Sequence, residues 1–225
     1  MTVRFATLVG ILLSCGLVIA AEPTTQPSEA MVVDQAKKTI TIPCKIAPRK
    51  LDYLNEIYPI EVIACWPHPR GQKAHETVVT FDVKPSEVAK ALESFGLKPG
   101  KQATEDQPAS GPELKITLEL PQAGGGTRSI PVEQSLVDKR TNKPMPKLKW
   151  YYTSCAMKQA NPEKPDKTYA ADIRGTLICI FPVTDEVVIQ TNLLFKDQSL
   201  LKLETNKRIL PPIGTPVKLV IQAMP

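Results

Sequence analysis

Between Glu113 and Leu120 the chain alternates without a lapse: Leu114, Ile116, Leu118 and Leu120 are apolar, while Glu113, Lys115, Thr117 and Glu119 are polar. A period of two puts one set on each face of an extended strand, so this segment must lie in a sheet with one covered face. Slipping the register by one residue would carry all the apolar side chains to the wet face, which pins the pairing. Any fold for this chain therefore has to place partner strands beside residues 113–120.

Candidate partners are spread along the sequence. Ile40, Ile42, Cys44 and Ile46 share one face, with Thr39, Thr41 and Lys45 on the other. Pro43 cannot donate to a ladder, so this strand is expected at a sheet edge or ending in a bulge. Residues 57–65, 76–83, 187–189 and 217–221 are further strand candidates, and GTLICIF at 175–181 is a continuous apolar run, as in a strand covered on both faces. Gly124 to Gly126 mark a hairpin connection, with Ile130 and Val132 opening the return strand. The chain carries 22 prolines, about twice the usual share, which disfavours helix.

One segment does read as helix. Pro85 suits a first helical position, Glu87 suits the positive helix start, and Val88, Ala91, Leu92 and Phe95 form one stripe. Gly96 supplies a left-handed cap and Pro99-Gly100 forbids continuation. The expected fold is α+β, mostly β, with antiparallel sheets and one clear helix at about residues 85–95. A single domain is expected over 31–225, with the polar stretch 101–112 either a mobile surface loop or an internal boundary.

The leading residues point to export. Arg4 precedes an apolar run from Phe5 to Ala20, and Ala21-Glu22-Pro23 follows with small residues at the exit. Residues 1–21 are expected to be a cleaved signal peptide and 22–30 a disordered tether, giving a periplasmic or secreted protein. The alternatives are an uncleaved anchor and lipidation at Cys15, which sits in a lipobox-like Leu12-Leu13-Ser14-Cys15; unless the anchor is retained, membrane association would come only through that lipid. The formal net charge of +5 is too mild to indicate nucleic acid as a partner. Cys44, Cys65, Cys155 and Cys179 would permit two disulfides in an oxidising compartment, or remain small buried thiols.

Both histidines fall in one loop, as Cys65-Trp66-Pro67-His68 and His75-Glu76. Cys65, His68, His75 and Glu76 offer a thiolate, two imidazoles and a carboxylate, ligands that suit zinc or copper. Their spacing matches no finger or protease motif, and the bland reading is a polar loop whose histidines bond nearby backbone. No catalytic residue and no bound cofactor is expected otherwise: the chain has no Gly-x-Ser-x-Gly elbow, no Gly-x-Gly-x-x-Gly and no phosphate-binding Gly-Lys-Ser/Thr loop. Lys143, Lys147 and Lys149 beside Trp150 and Tyr151 could meet an anionic envelope polymer, or form a solvated strand end with its aromatics in the core.

Several stretches together carry a resemblance. They are Lys73-Ala74-His75-Glu76-Thr77-Val78-Val79, Pro85-Ser86 leading to Ala91-Leu92, Gly96-Leu97-Lys98-Pro99-Gly100, Trp150 to Ser154, and Ala171-Asp172-Ile173-Arg174-Gly175-Thr176-Leu177-Ile178. From about residue 31 to the C-terminus the chain resembles the YdjY-like domain of exported bacterial proteins of the planctomycete type. The resemblance implies no assigned activity and makes His75 and Glu76 the first residues to mutate. Some members are labelled ferredoxin-like, but this chain has no Cys-x-x-Cys to seed an iron–sulfur cluster. The function expected is therefore a non-enzymatic binding or structural module of the envelope, whose partner is an envelope protein or matrix component. The alternative is a metal-binding or metal-dependent hydrolytic protein built on the Cys65/His68/His75/Glu76 loop.

Overall fold

The computed structural model describes residues 30–225; the expected signal peptide, Cys15 and the expected tether up to residue 29 lie outside the described residues. The first half holds β1 (Val32–Asp34), β2 (Thr39–Ile46), β3 (Val62–Cys65), β4 (Thr77–Phe81) and the helix α1 (Pro85–Ser94). Then follow β5 (Glu113–Pro121), β6 (Thr127–Pro131), β7 (Leu136–Asp138), β8 (Lys143–Pro144), β9 (Trp150–Tyr152), β10 (Met157–Gln159) and β11 (Lys167–Tyr169). The remainder is α2 (Ala170–Arg174), β12 (Thr176–Cys179), β13 (Ile189–Thr191), α3 (Phe195–Leu200), β14 (Leu203–Thr205) and β15 (Pro216–Ala223).

The main sheet closes on itself. Its order runs β2-β15-β5-β9-β13-β12-β3-β4, and β4 pairs again with β2 through Cys44↔Phe81 to Ile46↔Val79, so eight strands form a barrel. β1 and β6 are attached to β2 and β5, and β14-β7-β8 and β10-β11 form small separate sheets. The expectation of antiparallel sheets holds in part: most pairings are antiparallel, but β3–β4 and β12–β13 are parallel pairs. Two short helices, α2 and α3, also join the expected one.

Pro43 shows why an edge was expected and what occurs instead. β15 runs along one edge of β2 from Thr39 to Lys45. The other edge is divided, with β1 on Thr39–Thr41 and β4 on Cys44–Ile46. Pro43 falls in the gap between these two partners, so its missing N–H interrupts neither ladder on that side.

Register places the alternating apolar residues in rows. Ile42, Leu219 and Leu118 stand opposite one another across β2, β15 and β5, as do Ile40, Ile221 and Ile116. All belong to the one large core cluster, together with Trp150 and Tyr152 of β9. Strands on both sides of residues 101–112 share this sheet, and Lys101 bridges to Ser110 within the stretch.

The helix α1 lays Val88, Ala89, Ala91 and Leu92 on the same core. Its first turn has no local side-chain cap. The carboxylate of Asp172 on α2 supplies one from a distance, accepting from the Ser86 N–H at 2.8 Å and the Ser86 hydroxyl at 2.5 Å. At the other end Gly96 takes φ +83, and the Leu97 N–H reaches the Leu92 carbonyl at 3.4 Å, closing a Schellman turn.

Gly175 ends α2 at φ +71, and a Cβ there would lie 2.5 Å from the Trp66 ring. At Gly96, also left-handed, a Cβ would meet nothing within 4 Å. Gly175→Ala should therefore combine backbone strain with a clash and destabilise by about 3 kcal/mol, against about 1 kcal/mol for Gly96→Ala. Equilibrium denaturation of the two variants checks this ordering.

Candidate functional site

Because β3 and β4 are parallel, the chain must cross over between them, and residues 66–76 make that crossover. The Trp66 N–H binds the Gly175 carbonyl at 2.8 Å and its indole N–H donates to the Val83 carbonyl at 2.7 Å. Gly71 lies so close that a Cβ would sit 1.8 Å from the Trp66 carbonyl oxygen. The loop is thus clamped at its start, and His68, His75 and Glu76 follow at set positions.

Those residues divide into separate environments. The Cys65 thiol is buried in a small cluster with Val62, Cys179 and Val187, facing the Thr176 hydroxyl and the Arg174 carbonyl at 3.9 Å each; burial pushes its pKa up. His68 is exposed and lies over Tyr53, with ring centroids 4.5 Å apart. His75 and Glu76 are together, with Nε2 3.1 Å from the Glu76 carboxylate. Among the described residues no group of three or more His, Cys, Asp or Glu side chains is placed to hold a metal ion. All four described cysteines are free thiols.

Around His75 and Glu76 the structure gathers Lys73, from the same quoted stretch, with Glu61 and Gln198, which carried no signal in the sequence. The Lys73 ammonium bridges Glu76 at 2.7 Å and Glu61 at 3.1 Å, and the Gln198 amide also donates to Glu61. Burial, then the Glu76 carboxylate beside it, raises the pKa of Glu61. Burial is also the main cause that lowers that of His75, with the Lys73 charge adding to it. His75 Nδ1 is buried without a partner among the described residues.

Beneath this cluster Arg49 is 8% exposed and spreads its donors over four acceptors. It binds Glu204 at 2.6 Å and 3.4 Å, the His75 carbonyl at 2.9 Å, and the Tyr58 carbonyl. Burial opposes ionisation of Glu204, but the Arg49 and Thr205 hydrogen bonds overrule it and leave its pKa lowered. Nearly every donor of the guanidinium is spent on protein acceptors, which suits a structural lock.

A second feature lies across the barrel. On one edge β5 pairs with β9 at Glu113 and Leu114, then with β6 from Thr117 onward. Lys115 and Ile116 have no strand partner on that edge among the described residues, and a cleft of about 400 Å³ opens there. Leu114, Ile116, Met145, Leu148, Trp150 and Glu133 line its buried part. Glu133 belongs to a short 3₁₀ turn (Val132–Ser135), where the return strand had been expected to continue through Val132. One of its oxygens accepts from the Trp150 indole N–H at 2.8 Å and the Leu148 N–H at 3.1 Å. Trp150 is in the core and Tyr151 half-buried, while Lys143, Lys147 and Lys149 are exposed, with Lys149 3.5 Å from Glu113.

The model of the YdjY domain matches residues 31–222. No curated protein and no solved structure matches the chain.

Glu61 offers a check on the crossover cluster. Its raised pKa means that its contribution to stability is fully present below the ordinary carboxylate value and is lost as pH rises through the raised one. Acidifying from neutral pH should therefore favour the wild-type fold relative to Glu61→Gln. Denaturation of both proteins across that range checks it; a pH-independent difference would refute the assignment.

Proposed function

The chain belongs to the YdjY domain family, and from that premise we propose that it is an exported envelope protein acting as a non-enzymatic binding module through the cleft beside Trp150. The export half of this reading rests on the signal-like residues 1–21. The binding half rests on one observation: the barrel wall is interrupted at Lys115–Ile116, and the interruption is an apolar recess with a carboxylate set into it. A volume of about 400 Å³ falls in the range of small-molecule sites, which are concave, mainly apolar and equipped with few polar groups. The occupant is an envelope component, from the matrix or from a partner protein.

The crossover loop supports a second reading, as a metal-binding or hydrolytic site. The observation that favours it is His75 itself, with one ring nitrogen beside Glu76 and the other buried without a partner among the described residues. Cys65 and His68 would have to leave their present contacts to join it. Metal content of the purified protein, compared with His75→Ala, separates the readings: stoichiometric zinc or copper lost in the variant would favour the loop.

Two results are expected for the first reading. The full chain should yield a product outside the cytoplasm shortened by its leader, read by fractionation and mass spectrometry. Thr117→Trp, which narrows the cleft from a half-buried position, should abolish retention of the envelope component that wild-type protein holds. Equal retention by both would overturn the cleft as the binding site.

A further inference from the structure

Three carboxylates are buried among the described residues: Glu76, Asp138 and Glu133. Glu76 has Lys73 at 2.7 Å and Asp138 has Arg140 at 3.7 Å. Glu133, at 6% exposure, has no basic partner among the described residues. Its two donors, the Trp150 indole and the Leu148 amide, are neutral and meet at the same oxygen, Oε1. Oε2 receives no hydrogen bond among the described residues and is not closed off from solvent, and Glu133 lines the cleft. A buried carboxylate without a counter-charge is costly, and its cost falls when a cation occupies the free oxygen.

The surroundings narrow what that cation can be. Leu114, Ile116, Met145, Leu148 and Trp150 make the recess apolar, so the cation must arrive on an apolar body. The mouth is mainly of the opposite sign: Lys115 and Lys147 are exposed, line the cleft and have no acidic partner among the described residues, while Glu113, which also lines it, has its charge answered by Lys149 at 3.5 Å. Negative charge inside and positive charge at the mouth select a molecule with the reverse polarity.

Resting on the binding reading above, we propose that the cleft receives a small zwitterion whose primary ammonium pairs with Glu133 Oε2 and whose anionic group meets Lys115 and Lys147. The indole of Trp150 and the Leu148 amide hold the carboxylate in place by its other oxygen, so the acceptor is set before the ligand arrives. The size of the cleft admits a chain of a few methylenes between the two charges.

The test uses ε-aminocaproate as probe, with hexylamine and hexanoate as controls. Calorimetry gives affinity, and the methyl resonances of Met145 and Met224, both lining the cleft, give location. Wild-type protein should bind ε-aminocaproate saturably and shift both methyls. Glu133→Gln keeps the shape and an acceptor oxygen but loses the charge, and should bind at least about tenfold more weakly. Lys115→Ala/Lys147→Ala should reduce the affinity for ε-aminocaproate to that for hexylamine; melting curves establish that each variant is folded. Equal binding by wild type and Glu133→Gln would overturn the proposal. Methyl shifts with hexanoate but not with the amines would also overturn it while leaving the cleft as a binding site. No shift with any probe in folded wild-type protein would overturn the ammonium assignment, while loss of envelope retention in Thr117→Trp would separately decide the broader reading.

Discussion

The barrel depends on β2 serving three neighbours at once. One edge is given wholly to β15, and the other is divided between β1 and β4 on either side of Pro43. Without the pairing of Cys44–Ile46 with Phe81–Val79 the sheet would stay open, with β4 as a free edge available to other chains. Closure removes that edge and makes the apolar rows of β2, β15 and β5 an interior. The crossover from β3 to β4 delivers β4 to this position, so the polar cluster in the crossover sits at the seam. Arg49, which follows β2, and Glu204 of β14 tie the crossover from outside the barrel strands. Breaking that tie would leave Glu204 and two carbonyls short of a donor in a partly buried setting.

The same reasoning explains why the cleft lies where it does. A strand of nine residues, β5, is longer than either partner on its open edge. β9 covers only Glu113 and Leu114, and β6 begins at Thr117. The unpaired residues between them leave a recess in the wall, and the turn after β6 brings Glu133 to its floor. The recess follows from strand lengths and the turn, and requires no strained backbone.

Much of this was legible in the sequence, and the reasons are local. Alternation at 113–120 and 39–46 marked two barrel strands, and Pro85, the apolar stripe and Gly96 marked α1 closely. Parallel pairing was not legible: the buried runs of β3, β4, β12 and β13 show strands covered on both faces, but strand direction depends on which segment the chain returns beside, and that is set by the crossovers. Barrel closure rests on three residue pairs far apart in sequence. Of the candidate ligands, His75 and Glu76 are adjacent and duly meet, whereas Cys65 ends a strand and turns to Thr176, and His68 is carried outward to Tyr53. Glu61 and Glu133 left no signal, since a lone acidic residue outside a periodic run acquires meaning only from what folds against it.

The two polar sites differ in how their charge is answered. At the crossover each acid has a base within the protein: Lys73 serves Glu61 and Glu76, and Arg49 serves Glu204. A network so answered holds elements together and gains little from a visitor, since any ligand must first displace a partner already in place. Glu133 is held by neutral donors on one oxygen only, so a cation reaching the other displaces no partner on the protein. That asymmetry is the argument for proposing the cleft, and not the histidine loop, as the seat of recognition in this barrel.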